Sequence, residues 1–210
     1  MRGLFITLEG NEGCGKSTQI KLLSSYLKKK GCNVLVTREP GGTVIGDRIR
    51  EVLLDAKHAA MTPVAETLLY MASRAQLVEE IILPALEKNQ VVLCDRWMDA
   101  TVAYQGYAGE VDVDWIQAVG FVATQELEPD LSLYLDLPVK EGMKRALRRH
   151  KADRIEKKSL SYHEKVRQGF LKIVKDEPER FKRLALKATE NVETVRERIQ
   201  AEVDRVLRHA

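Results

Sequence analysis

Short β-rich apolar runs alternating with stretches of helical period predict an α/β fold. It should have three layers, with a mostly parallel five-stranded sheet carrying helices on both faces. Two observations carry this reading. Runs such as Leu4-Phe5-Ile6-Thr7-Leu8 and Val91-Val92-Leu93-Cys94 are continuously apolar, as expected for strands covered on both sides. Between such runs the apolar residues recur at helical spacing, which calls for right-handed βαβ crossovers.

The elements follow in order. Leu4 to Leu8 forms the first strand, and from Lys16 the residues Ile20, Leu23 and Leu27 mark a helical stripe that Gly31 ends. Val34-Leu35-Val36-Thr37 is the second strand. In the turn Glu39-Pro40-Gly41-Gly42, Pro40 presets φ and Gly41 accepts positive φ, which suits a type II turn. A helix follows with Ile45, Ile49, Val52 and Leu53 apolar. A longer one runs from about Val64 to Lys88, which Pro84 should kink or interrupt. Val91 to Cys94, ending on Asp95, is the third strand. Helices near Ala100 and from Asp114 to about Gln125 precede a fourth strand, Leu131 to Leu137, closed by Pro138. Basic helical sequence comes next, then a helix from about Ser161 and a weak fifth strand at Phe181 to Leu186. A final amphipathic helix carries Val192, Val195, Ile199, Val203 and Val206.

The chain has 210 residues, enough to bury roughly 70% of its unfolded surface in one core, so a single domain over residues 1–210 is expected. With 44% hydrophobic and 31% charged residues, neither disorder nor a membrane protein fits. No apolar run reaches the roughly 18 residues of a membrane span. The opening residues meet Glu9 too soon to hold a signal-peptide core, so a cytoplasmic setting is expected. Cys14, Cys32 and Cys94 match neither a disulfide framework nor a zinc pattern.

The net charge of +3 says little about partners, but its distribution says more. Lys144, Arg145, Arg148, Arg149, Lys151, Arg154, Lys157 and Lys158 crowd one segment, opposed only by Asp153 and Glu156. Such a cluster suits an anionic partner or a solvated helix face.

Gly10-Asn11-Glu12-Gly13-Cys14-Gly15-Lys16-Ser17 fits G-x-x-x-x-G-K-[ST] between a strand and a helix. The glycines let backbone N–H groups turn toward phosphate oxygens, and the helix adds its positive end. Lys16 would reach the β- and γ-phosphates, and the Ser17 hydroxyl would ligate Mg²⁺. Asp95, ending a neighbouring strand, becomes a second Mg²⁺ ligand at the sheet edge where such folds bind ligands. The fold class is therefore the three-layer P-loop NTPase fold. A GTPase does not fit, because neither Asn-Lys-x-Asp nor Asp-x-x-Gly occurs. A small nucleotide kinase fits better.

Further segments carry a family resemblance. They are Leu8 to Thr18, Thr37-Arg38-Glu39-Pro40-Gly41-Gly42-Thr43, Leu68-Leu69-Tyr70-Met71-Ala72-Ser73-Arg74 and Asp95-Arg96-Trp97. Ala103-Tyr104-Gln105-Gly106, Pro129-Asp130-Leu131 and Asp153-Arg154-Ile155-Glu156 complete the set. Over nearly its whole length the chain resembles the bacterial thymidylate kinases.

The resemblance implies ATP-dependent phosphorylation of dTMP to dTDP with Mg²⁺, in a homodimer, with no nucleic-acid or membrane partner. It implies that Gly10, Asn11, Glu12, Gly13, Cys14, Gly15, Lys16, Ser17 and Thr18 hold ATP. Tyr70 would stack on thymine, Arg74 would hydrogen-bond the base edge and Gln105 would lie against it. Arg50 and Arg96 would grip the acceptor phosphate. Glu12 would take a hydrogen bond from the 3′-hydroxyl, Glu39 would lie near the sugar and acceptor phosphate, and Tyr104 would crowd the 2′ position. A lid is expected over about residues 142–160, with Arg149 catalytic and Arg145 and Arg154 supporting it at ATP. Lys16, Arg149, Arg96 and Glu12 are then the expected catalytic set.

Some positions depart from the family pattern. Ala100 and Thr101 leave one hydroxyl where two are common, so Thr101 is the remaining one toward thymine. Trp97 stands where Tyr or Phe is commoner, Phe170 replaces a frequent Tyr, and Lys187 stands where Asp often precedes the adenine loop. An acceptor that is already anionic needs no general base, so positioning and charge neutralisation are expected to carry catalysis. His58, His150, His163 and His209 read as surface or structural residues. Two other readings stay open at this point: another nucleoside monophosphate or deoxynucleoside kinase, and a nucleic-acid-binding ATPase using the basic cluster.

Overall fold

A computed structural model describes residues 3–148 and 152–208. Five strands, β1 (Phe5–Glu9), β2 (Val34–Arg38), β3 (Val91–Asp95), β4 (Leu131–Asp136) and β5 (Phe181–Ala185), form one sheet in the order β2-β3-β1-β4-β5. Every pairing is parallel, as the alternating pattern requires. The weak fifth strand is real and pairs with β4 at the edge.

Helix α1 (Lys16–Lys29) follows β1, and α2 (Val44–Leu54) and α3 (Pro63–Leu77) follow β2. The expected break at Pro84 takes a gentler form. A π-helical turn over Val78–Ile82 joins α3 to α4 (Leu83–Glu87), so the missing N–H of Pro84 falls in the first turn of a new segment. After β3 come α5 (Met98–Thr101) and a second π-helical stretch, Val102–Ala108, then α6 (Val113–Thr124). Helices α7 (Val139–Ala146), α8 (Leu160–Asp176) and α9 (Val192–Leu207) complete the order.

Alternation along β1 divides the core. Ile6 and Leu8 face the layer of α1 and α9, packing with Leu23, Leu27, Ile199 and Val203. On the opposite face Phe5 meets Val92, Cys94 and Trp97, and Tyr134 stacks on Phe170 with ring centroids 4.8 Å apart. The phenyl ring at 170 is thus wholly core, where a hydroxyl would need a partner. A buried polar line crosses this face. Thr7 donates to Ser132 (2.7 Å), Ser132 donates to Asp99 (3.2 Å), and Arg180 holds both Asp99 oxygens. It fixes α5, and with it Thr101, to the sheet.

The turn after β2 differs from a simple type II turn. The Glu39–Pro40 peptide is cis, and Gly42 as well as Gly41 has positive φ (86° and 120°).

Candidate active site

The parallel strands end at one edge, where the register sets Leu8 and Arg38 level with Asp95. A cavity of about 280 Å³ opens there, lined by residues from the glycine-rich loop, the turn after β2, α3, α5 and the 153–156 segment.

At one end lies the loop. Gly13 and Gly15 take φ of 70° and 103°, a region that a side chain disfavours. Thr43, Thr62, Asp112, Ser159 and Asn191 cap their helices, but α1 opens at Gly15 with no side-chain cap. Its first N–H groups are left for an external anion. Lys16 Nζ reaches back to Gly10 O (2.8 Å) and Asn11 O (3.2 Å), so the ammonium spans the loop it will serve. Ser17 Oγ donates to Asp95 Oδ2 at 3.2 Å, joining the two expected Mg²⁺ ligands. Cys14 packs inward among Leu135 and its neighbours, and Asn11 donates to His163 O (3.1 Å), so both brace the loop from beneath. Thr18 N–H turns back to Gly15 O in the first turn.

In the middle, Arg96 has φ of 76°, an uncommon conformation for arginine. The next N–H, of Trp97, is held at 2.6 Å by the buried carboxyl of Glu9. Held this way, Arg96 donates to Gly10 O (3.1 Å) and Glu12 Oε1 (2.7 Å), while Tyr104 OH donates to Glu12 Oε2 (2.6 Å). Burial would raise the Glu12 carboxyl, but Arg96, Lys16 and the Tyr104 hydrogen bond together bring it below its ordinary value. Arg50 donates to Pro40 O at 2.9 Å, and its guanidinium is partly desolvated.

The far end belongs to α3. Glu66, Tyr70 and Arg74 are spaced by four residues and share one helix face. Arg74 is buried in a fork with Glu39 (2.6 Å) and also donates to Thr101 Oγ1 (3.0 Å). Its guanidinium lies 5.4 Å from the Trp97 ring. Burial raises the Glu39 carboxyl more than Arg74 lowers it. Burial, with Glu66 second, also raises the Tyr70 phenol, so the ring enters as a neutral aromatic wall. Gln105 donates to Glu66 at 2.6 Å.

The cavity thus gathers Glu12, Gly13, Lys16, Ser17, Glu39, Arg50, Tyr70, Arg74, Asp95, Arg96, Thr101, Tyr104 and Gln105. Arg145 lies elsewhere, donating to Ala188 O (2.8 Å) in the loop after β5. Arg154 is not on the cavity wall. It is buried against Glu66 (2.5 Å) and Leu53 O (2.8 Å). Arg149 falls outside the described residues. Sequence reasoning gave no role to Arg38, Leu54, Asp153, Ile155 or Glu156, which also line the cavity. The four-residue run at 153–156 was visible as a motif, but Leu54 gave no signal.

A phosphate-cradling loop, a lysine and a hydroxyl–carboxylate pair, facing a second compartment with two arginines and an aromatic ring, define a P-loop nucleotide kinase site. The family model for thymidylate kinase matches residues 8–199. A thymidylate kinase of Geotalea daltonii is 54% identical over 186 residues, covering 85% of this chain and 87% of its own. One from Thermoanaerobacter sp. (strain X514) is 50% identical over 181 residues, covering 86% and 88%. The crystal structure of thymidylate kinase from Ehrlichia chaffeensis superposes with a TM-score of 0.73 at 31% identity, covering 88% of this chain and 93% of that one. The chain belongs to the thymidylate kinase family.

Proposed function

We propose that the protein phosphorylates dTMP to dTDP with ATP, as one nucleoside monophosphate kinase unit over residues 1–210. The observation that carries this is a single cavity with a phosphate loop at one end and Tyr70, Arg74, Thr101 and Gln105 at the other. Arg50 and Arg96 lie on the wall between, where the acceptor phosphate would meet the donor.

The loop and Lys16 hold the ATP phosphates, and Arg96 and Arg50 present the acceptor oxygen in line with them. Guanidinium forks match phosphate geometry. Glu12, kept ionised, accepts from the 3′-hydroxyl, and Tyr104 beside it fills the 2′ position. Tyr70 stacks on thymine, with Arg74, Thr101 and Gln105 at the base. Arg149 would supply transition-state charge, without Arg145 and Arg154, which are held by Ala188 O and by Glu66 with Leu53 O. The loop stretch Asn11-Glu12-Gly13-Cys14 carries no basic residue, which leaves Lys16 as its cation.

Ser17 and Asp95 suit Mg²⁺, being a hydroxyl and a carboxylate already within hydrogen-bond reach. Among the described residues no group of three or more acidic, His or Cys side chains could cage a metal. That suits an ion held by few protein oxygens, with phosphates and water as its other ligands. Bound there, Mg²⁺ would neutralise charge on the transferring phosphates.

We also propose a cytoplasmic homodimer. No helix among the described residues is long and apolar enough to cross a membrane. Adjacent helices α2, α3 and α6 expose Val44, Ile45, Val52, Leu68, Phe121 and Val122, which supports burial against a second copy.

An acceptor panel of dTMP, dUMP, dCMP, AMP and thymidine with ATP and Mg²⁺ tests the reading. dTMP should give the highest kcat/KM. Preference for another acceptor, or hydrolysis stimulated only by nucleic acid, would overturn it.

A further inference from the structure

The carboxylate of Glu66 takes no part in the chemistry above, yet it is buried and engaged on both oxygens. Oε1 accepts from Gln105 Nε2 at 2.6 Å, and Oε2 meets Arg154 Nη1 at 2.5 Å. Arg154 in turn donates from Nε to Leu53 O (2.8 Å) and from its backbone N–H to Leu54 O (3.1 Å). Its neighbours are tied into a tight turn. Asp153 Oδ1 accepts from the N–H groups of Ile155 and Glu156, both at 2.9 Å.

This chain of contacts links separate walls of the cavity. Gln105 and Tyr104 stand on the π-helical stretch after α5, and Tyr70 stands one turn beyond Glu66 on α3. Asp153, Ile155 and Glu156 stand on the turn that Arg154 anchors. Glu66 is the group where these walls meet, and its two side-chain partners, Gln105 and Arg154, are buried with it. A buried carboxylate of this kind is costly unless its partners are fixed, and breaking one such pair leaves the other group stranded. Its presence behind the wall therefore fixes side-chain direction. With Nε2 committed to Glu66, the Gln105 amide cannot turn over without setting its carbonyl against a carboxylate.

We propose that Glu66 is a positioning residue for the acceptor compartment. One carboxylate, shared by Gln105 and Arg154, holds the base-reading wall and the 153–156 turn in register. The proposal rests on the acceptor reading above and adds the residue that sets the compartment's shape. Glu66 touches neither nucleotide, so its effect should fall on the acceptor and spare the phosphate loop on the opposite side.

The test uses the full chain with Glu66→Leu and, as a milder change, Glu66→Asp, whose carboxylate is retracted by one methylene. Wild-type turnover of dTMP, measured in parallel, reports on the acceptor reading by itself. Steady-state constants are measured with dTMP and ATP varied separately, together with thermal melting. Misplacing a binding group by about 1 Å can cost up to about a hundredfold, so KM for dTMP should rise roughly tenfold or more in Glu66→Leu. It should rise by about threefold or more in Glu66→Asp, with KM for ATP within about twofold in each. A purely structural carboxylate would lower the melting temperature without this split. Glu66→Asp is the deciding variant where the leucine form does not fold. Unchanged KM for dTMP in a folded variant, or equal changes for both substrates, would overturn the proposal.

Discussion

The carboxyl of Glu9 ends the central strand fully buried, with one oxygen on Trp97 N–H and the other without a partner among the described residues. Burial raises it well above its ordinary value, and nearby Asp99 adds to this against the pull of Arg96 and Lys16. The linkage has a definite sign. Below an unfolded value of about 4.3 the group is neutral in both states and costs nothing. As pH rises past that value the unfolded chain releases the proton while the folded one keeps it, so stability falls until the raised folded value is passed. Glu9→Gln keeps the acceptor for Trp97 and removes the titration. Its melting temperature relative to wild type should therefore climb as pH rises through this window. A constant difference across the pH series would contradict the assignment. Tyr70 offers a second test at this scale. In the proposed reading its ring would meet only the acceptor, so Tyr70→Ala should raise KM for dTMP by a factor matching about 1–3 kcal/mol of lost stacking, leaving KM for ATP nearly unchanged. Equal effects on both constants would make Tyr70 a core residue.

At the scale of elements, the loop and α7 meet glycine to glycine. A Cβ on Gly13 would lie 2.0 Å from Gly142 O, and one on Gly142 would lie 2.4 Å from Glu12 O. Gly13→Ala would meet both this clash and its left-handed φ of 70°, where a side chain alone costs about 1–2 kcal/mol. The loop should be displaced, with KM for ATP rising about tenfold or more, equivalent to about 1.4 kcal/mol. Nucleotide titration by calorimetry checks it, and wild-type ATP affinity would refute it. This contact lay beyond sequence reasoning, because Gly142 sits in a helical pattern whose tertiary neighbour is 129 positions away. The π-helical turns escaped for a related reason. Their residues keep a helical apolar pattern, and the stretch over Val102–Ala108 packs against α6 and α8, neighbours that sequence spacing does not show. The glycine-rich loop and the strand ending on Asp95 were legible as local patterns read from spacing, and spacing set Tyr70 and Arg74 on one helix face, but their place at the site came only from the family resemblance. Arg154 shows the limit. Its place in a recognisable motif suggested a phosphate contact, but burial against Glu66 depends on two distant elements.

For the whole molecule, strand identity was readable but strand order was not, because parallel neighbours are joined by long crossovers and chosen by packing. The terminal helix closes the α1 side of the sheet, with Ile199 and Val203 buried against Leu23 and Leu27. Ile199→Ala should cost about 2–5 kcal/mol through transfer and cavity terms. For a chain of this size that lowers the melting temperature on the order of 10 °C. Both KM values should stay near wild type, because α9 contributes nothing to the cavity wall. Altered substrate constants in this variant would contradict the separation of core and site.

Three arginines around the cavity are matched to three carboxylates before any nucleotide arrives: Arg96 to Glu12, Arg74 to Glu39 and Arg154 to Glu66. These pairs offset charge along the walls, while Lys16 and Arg50 meet backbone carbonyls instead. In the proposed reading, an entering phosphate dianion would take a share of Arg96 from Glu12, so binding there would be an exchange of counter-ions. Its driving force is the difference between two anions. A neutral nucleoside offers nothing to trade, and a simple carboxylate only matches what Glu12 already gives. On that reading, discrimination against unphosphorylated look-alikes would lie in Glu12, an incumbent anion that only a stronger one would displace.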